Sequence, residues 1–464
     1  MQLPNPLKTP SWLQKLQWVT DPVSFMERAA RQYPDIFTAE LVGFGNTVVF
    51  VNHPLAIQQI FNNDRKTFAA PGEFNKTLEP LLGNSSILML DGDNHKRRRQ
   101  LLMPSLHGDR MRFYGQLIYD LTKKILNQVP INKTFLARNI TQEISLQVII
   151  QVVFGLQQGE RYQQIQRLIP AMMSELFASP LNSSFLLLPF LQKNLGALTP
   201  WGRFLRQRQQ IAQLLYAEIA ERRQQDDADR TDILSLLMLA RDEAGESMTD
   251  RELQDELMSV IVAGHETTAT AIAWGLYWIH RQPEVYEKLL QELDTLGDSP
   301  DPMNIFRLPY LSAICNEILR INPVAIFSLP RVVQEPVKLL GHALEPGTVL
   351  LNCIYLTHQR EDLYPQAKQF KPERFLERQF SPYEFMPFGG GVRVCIGQAL
   401  ALFEMKLVLA TILLNYKLSL ADLRQERTQR KGVVLGPAKG VKMLIKERYV
   451  HPKSPMTIAT TSAS

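Results

Sequence analysis

From about residue 105 to 290, apolar side chains recur at three- and four-residue spacing with almost no interruption, which commits this part of the chain to helices. One segment breaks the run. SPLNSSFLLLPFLQKNLGALTP (179–200) carries three prolines and a dense apolar patch, as lids and binding loops do. Ahead of the helical run, FTAELVGFGNTVVFV (37–51) reads as two short strands around a Gly-Asn turn. Behind it, residues 308–322 read as one more helix, stopped at Asn322-Pro323. VVQEPVKLL and TVLLNCIYL are strand-like, and a stretch rich in Pro and Gly (358–394) leads into a strong helix after Cys395. There is no internal repeat and no linker. The expectation is a single mainly α domain with a small β region over residues 1–450, and a disordered Ser/Thr/Pro-rich tail over 451–464.

With 464 residues, 45% of them apolar and 21% charged, the chain can bury a sizeable core. A formal net charge of +5 is too small to argue for nucleic acid, and it is compatible with an acidic protein partner. Three cysteines (Cys315, Cys353, Cys395) without a CxxC spacing argue against a disulfide framework or a structural zinc site and fit a reducing cytoplasm. Pro4, Pro6 and Pro10 interrupt an N-terminus that has no basic segment followed by an apolar one, and no segment offers ~18 uninterrupted apolar residues. A soluble, cytoplasmic protein is expected.

The chemistry centres on PFGGGVRVCIGQALALFEMKLVLATILLNY. Leu400, Phe403, Leu407, Ala410 and Leu414 follow helical spacing, so Cys395 lies at or just before a helix N-terminus, where unpaired N–H groups favour a metal-ligating thiolate. Gly389, Gly390, Gly391 and Gly397 clear side chains from both sides of the sulfur, letting backbone approach a flat ligand and donate to it. Phe388 is placed to pack beside the same ligand. A small buried cysteine beside a flexible turn is the plainer alternative. A nucleotide loop is weaker, because no Lys-Ser/Thr follows the glycines.

Two further motifs carry chemistry. In EILR, Glu317 and Arg320 stand three apart and share a helix face; alone, such a pair is a surface ion pair worth ~0–1 kcal/mol. In AGHETTA (263–269), Gly264 weakens the helix, and Thr267 can donate back to the carbonyl of Ala263 and bend it. His265 is not needed by this arrangement and reads as packing or surface.

Phe388, Gly391, Arg393, Cys395 and Gly397 fit F-x-x-G-x-R-x-C-x-G, and the chain thereby resembles the cytochrome P450 family. A chance match in a chain this long is on the order of one in ten thousand or rarer. The resemblance covers roughly residues 20–450 and implies that family's fold, haem b as cofactor, and Cys395 as the proximal thiolate ligand to iron, with Phe388, Gly389 and Gly397 around it. It implies that Glu317 and Arg320 join Arg374 of Pro372-Glu373-Arg374-Phe375 in holding the Cys loop. Glu266 and Thr267 correspond to the acid–alcohol pair that relays protons to bound dioxygen. His95 and Arg99, four apart on a predicted helix, with Arg331 and Arg393, correspond to partners of the haem carboxylates; histidine stands here where tryptophan is common. Lys96, Arg97 and Arg98 are expected on a solvated face that doubles as a docking patch for an acidic electron donor.

By the same resemblance the substrate pocket draws on Phe74, Leu81, Ile87, Leu88, Val260, Ala263, Val324, Ala325, Ile326, Phe327, Val433 and Val434, almost all apolar. The implied activity is a monooxygenase acting on a small apolar substrate, a fatty acid or terpenoid by analogy with eukaryote-like bacterial members. Electrons come from a separate ferredoxin or flavodoxin with its reductase, since the chain carries no flavin domain. The rivals are a peroxide-driven oxygenase of the same fold, against which Glu266 and Thr267 argue, and a haem-thiolate sensor or electron carrier without turnover. A weak peripheral membrane contact through 179–200, Trp12 and Trp18 is a further expectation.

Overall fold

The computed structural model describes residues 3–106, 110–156, 158–177, 185, 192–194, 196–225, 230–297, 300–432 and 434–449. The expected tail and Val433 lie outside the described residues, as does most of 179–200; the described Phe185 stacks on Trp201, ring centroids 6.3 Å apart.

Helices dominate, as the apolar spacing requires. The longest, Asp250–Arg281, starts at a capping box in which Thr249 and Glu252 satisfy each other's backbone N–H groups. Acidic Asp250 and Glu252 in its first turn and basic His280 and Arg281 in its last suit the helix dipole. Ala137–Phe154 packs along it, and Arg110–Asn127, Glu160–Phe177 and Pro200–Gln224 build the surrounding layer. Gln398–Asn415 is buried on nearly every side, including its charged Glu404 and Lys406. It is the one described helix long and apolar enough to cross a bilayer, and here it fills the core.

The expected strands around the Gly-Asn turn form as Ile36–Glu40 and Thr47–Val51, antiparallel, with Phe37 opposite Phe50. Thr47–Val51 then pairs in parallel with Val349–Asn352, which continues through Arg331–Val333 to Phe68–Ala69. This sheet joins the two ends of the chain beside the helical layer. TVLLNCIYL is only half strand: it turns after Asn352, and Ile354–His358 is helical. A hairpin of Thr428–Lys431 and Val434–Pro437 reaches back against the long helix.

Trp18, expected at a membrane surface, is only 4% exposed and packs on Phe25, Phe50 and Phe327. Burial of so large a ring among three others outweighs any interfacial role. Trp12 is exposed.

Candidate functional site

The glycine-rich loop delivers Cys395 three residues ahead of helix Gln398–Asn415, whose N-cap is Gly397. The Cys395 amide donates to the carbonyl of Phe388 (3.0 Å), closing the loop on itself. Gly389 and Gly391 adopt φ of +70° and +63°, conformations that side-chain-bearing residues resist. At Gly390, a Cβ would run into the Phe61 ring; at Gly391, into the Asp64 carboxylate. Cys315 and Cys353 are buried, with thiols pushed up to about 12 by desolvation, whereas Cys395 is accessible. Its surroundings still push the Cys395 thiol up, while the Gly397 N–H and the Arg99 guanidinium pull the other way. An accessible sulfur facing an N–H and a cation, with a glycine cradle on either side, fits a thiolate-held planar group.

Cations converge beside this loop. His95 and Arg99 lie on helix Gly92–Leu102. Burial first, then the fields of Arg393, Arg99, Arg65 and Arg331, drive the His95 imidazole down to about 3, so the ring is neutral at physiological pH. So much positive charge around one buried histidine suits the two carboxylates of a haem. Within the protein these arginines donate to backbone: Arg99 to Val394 O (2.7 Å), and Arg393 to Ala70 O and Leu90 O (both 2.6 Å) and Ile87 O (3.1 Å). Arg331 is fully buried on Asp64.

The neighbouring basic run does not form the expected solvated face. Arg98 is 2% exposed and pairs with Glu252 and Glu256 of the long helix, and Arg97 pairs with Asp242 and Glu252. Only Lys96 of the three is exposed. The reason is local: the helix crosses the acidic first turns of Asp250–Arg281, and a buried guanidinium needs those partners.

Glu317 and Arg320 are likewise no surface pair, since both are fully buried. Arg320 forks onto Glu317 (Nε–Oε2 2.6 Å, Nη2–Oε1 2.8 Å), and Arg374 Nε reaches the same carboxylate at 3.2 Å. Arg320 also donates to His358 O (2.8 Å), and His358 Nε2 accepts the Met386 amide (3.0 Å), two residues before Phe388. A continuous polar chain therefore runs from the Glu317 helix to the Cys loop.

Opposite, in the long helix, Thr267 Oγ1 donates to Ala263 O at 2.6 Å, the back-bond expected from the sequence. Glu266 is turned toward the neighbouring helix, where Arg138 and Gln142 Nε2 (2.6 Å) hold its carboxylate. Sequence reasoning missed Arg138 and Gln142: an i,i+4 pair on another helix carries no local signal. His265 is buried and its imidazole is held down to about 4 by desolvation and Arg138, so it serves packing.

A cavity of about 740 Å³ opens against Ala263, Glu266 and Thr267. Leu81, Leu88 and Val434 line it, with Leu78, Leu146 and Phe177 among others. The remaining expected lining residues that are described lie outside this lining. Ile87 is core, while Val260 and Val324 pack on the main cluster. Phe74 is half-buried outside the lining. Ala325 packs beside the sheet, and Ile326 and Phe327 belong to the cluster around Trp18, because the residues after Asn322-Pro323 run into the sheet.

The pattern of the family described as Cytochrome P450 matches residues 4–445. The chain is 35% identical over 91% of its length to cytochrome P450 135B1 of Mycobacterium tuberculosis, covering 87% of that protein. With cytochrome P450 138 of the same organism it shares 32% identity over 97% of each chain. Among solved structures, a retinoic acid-bound cyanobacterial CYP120A1 superposes with a TM-score of 0.82 at 23% identity, over 97% of this chain and 100% of that one. A cytochrome P450DA heme domain gives 0.83 at 21%, over 96% and 98%.

Proposed function

The chain belongs to the cytochrome P450 family, a family of haem b monooxygenases with cysteine-thiolate ligation, and from that premise we propose that it hydroxylates an apolar substrate, a fatty acid or terpenoid, with electrons from a separate ferredoxin or flavodoxin and its reductase. The observation that carries the reading is the cavity itself, which meets Thr267 and Ala263 on one wall and beside them gathers Leu78, Leu81, Leu88, Leu146, Met173 and Phe177.

Haem b, when bound, supplies the iron at which dioxygen is activated. Cys395 would hold it, with the Gly397 N–H steadying the sulfur, and His95, Arg99 and Arg393 would meet its carboxylates. The glycines at 389–391 would let the loop backbone approach it closely. Thr267 Oγ1, its own proton held by the Ala263 carbonyl, would accept a proton on its free lone pairs and pass one on to the reacting oxygen. Glu266 would resupply that proton, and the Arg138 and Gln142 contacts set where its carboxylate rests. The Leu and Val walls exclude bulk water from the reacting carbon. Overall, one substrate C–H bond becomes C–OH, two electrons and two protons enter with dioxygen, and one water leaves.

The test is a ligand screen on the haem-loaded protein, read by displacement of the Soret band, followed by product analysis with a matched electron donor. Apolar acids or terpenoids should shift the band and emerge hydroxylated. Binding confined to polar molecules, or a ferrous carbonyl adduct without the thiolate-type Soret peak, would overturn the proposal.

A further inference from the structure

Resting on the apolar-substrate reading above, we propose that the cavity takes an apolar chain that ends in a carboxylate, and that Lys431 and Arg138 together hold that carboxylate.

The cavity combines apolar side chains with charged ones and is not electrically neutral. Its walls carry three cations, Arg138, Arg430 and Lys431, against two carboxylates, Glu143 and Glu266, and His265 is uncharged at neutral pH. Arg430 is occupied, donating to the carbonyls of Trp18 and Val19. Lys431 is not. Among the described residues its ammonium has no hydrogen-bond or ion-pair partner, although the side chain is half-buried and desolvation and Arg138 disfavour its charge more than the field of Glu426 favours it. Arg138 spends one Nη on Glu266, yet its Nε–H is buried with no acceptor. A buried donor without a partner is rare in a folded protein and points to a group that completes it.

The two side chains lie close together. The position a Cβ would take at Gly436 lies 3.4 Å from Thr270 Cγ2, 3.8 Å from Lys431 Cδ and 3.9 Å from Arg138 Nε, so the Lys431 stem and the Arg138 guanidinium flank one spot where the strand has no side chain of its own. The backbone next to Lys431 is constrained at Gly432. Gly432 has a φ of +63°, and a side chain there would collide with the Phe177 ring, which itself lines the cavity. A carboxylate between Lys431 and Arg138 would accept from both, neutralise their mutual repulsion and leave its chain lying along Leu81, Leu146, Met173 and Phe177.

The test compares dodecanoic acid, its methyl ester and dodecanol by equilibrium dialysis against the haem-loaded protein, with Soret displacement as a second readout. The acid should bind tighter than the ester or alcohol on the order of tenfold or more, the range of a charge-assisted hydrogen bond in a desolvated site. Lys431→Met, which keeps the apolar stem, should remove that advantage so that acid and ester bind alike, and Lys431→Arg should restore it. Equal binding of acid and ester to the wild type, or an unchanged ratio in Lys431→Met, overturns the carboxylate assignment while leaving the apolar-substrate reading standing. Failure of all three ligands to bind overturns that reading and the assignment with it.

Discussion

Arg331 forks onto Asp64, with Nε–Oδ1 at 2.5 Å and Nη2–Oδ2 at 2.9 Å, and both side chains are shut off from solvent. The same carboxylate accepts the Val392 amide (2.9 Å), and the same guanidinium donates to Gly390 O (3.0 Å). The pair therefore bolts the glycine loop ahead of Cys395 to the end of helix Pro54–Asn62, and a residue expected to serve haem carboxylates is committed to a protein carboxylate. Removing one partner strands a buried charge, so Asp64→Ala should lose ~3–5 kcal/mol, and Asp64→Asn less. Thermal midpoint and the rate of haem transfer to apomyoglobin measure it; an Asp64→Ala protein with wild-type values for both would refute the clamp.

Thr267 can both donate and accept, yet its proton goes to Ala263 O. That fixes the hydroxyl's direction without using its acceptor side, which stays free for a proton from elsewhere. Thr267→Ala should keep substrate affinity and reduce product formed per electron consumed several-fold, with the difference released as peroxide. Thr267→Ser should recover most of the coupling, since the hydroxyl returns. Unchanged coupling in Thr267→Ala would exclude the relay role.

How far the sequence reached depends on whether a signal is local. The Cys loop, the back-bond at Thr267 and the Glu317–Arg320 pair are each built from residues a few positions apart, and each is found where spacing places it. The partners that complete them do not. Asp64 is 267 residues from Arg331, and Arg138 is 128 from Glu266, so no periodicity announces either contact. Arg98 reads as solvated because its own helix is strongly polar, and only the crossing of Glu252 and Glu256 reveals its burial. The sheet shows the same limit: the strands of 37–51 are marked by the Gly-Asn turn between them, while the parallel pairing of Thr47–Val51 with Val349–Asn352 closes a loop of about three hundred residues.

Glu404 should give the protein a pH dependence of its own. It is 2% exposed in the heart of helix Gln398–Asn415, with one carboxyl oxygen unpartnered and only the Ser145 hydroxyl to oppose desolvation, and it is driven up to about 8. A carboxyl raised on folding holds its proton in the native state after the unfolded chain has released it. Its contribution is therefore fully present below about 4.5 and is lost as pH rises from there to about 8. Glu404→Gln keeps a partner for Ser145 and cannot ionise. The variant should flatten the decline of thermal midpoint between those limits and be the more stable protein above pH 8, by an order of a few kcal/mol at most. A variant whose midpoint falls with pH as steeply as the wild type would disprove this assignment.

The chain from Glu317 to the Cys loop predicts two different failures. Among the described residues, Glu317 is the only carboxylate shared by Arg320 and Arg374 within hydrogen-bonding reach, and it also accepts the Lys371 amide at 2.8 Å. Glu317→Gln would leave two guanidinium groups in the core facing a neutral amide, a loss of ~3–5 kcal/mol that acts on the whole fold. His358 sits further along. Burial and Arg320 hold its imidazole down to about 3, which keeps the ring neutral and lets Nε2 accept the Met386 amide. His358→Leu fills the same space and removes that acceptor, at a cost of ~1–3 kcal/mol placed two residues from Phe388. Glu317→Gln should thus lower the unfolding midpoint and haem content together. His358→Leu should leave global unfolding near wild type while haem dissociates faster. If His358→Leu retains haem as firmly as the wild type, the polar chain does not steady the Cys loop, and the three-residue pair acts on the fold alone.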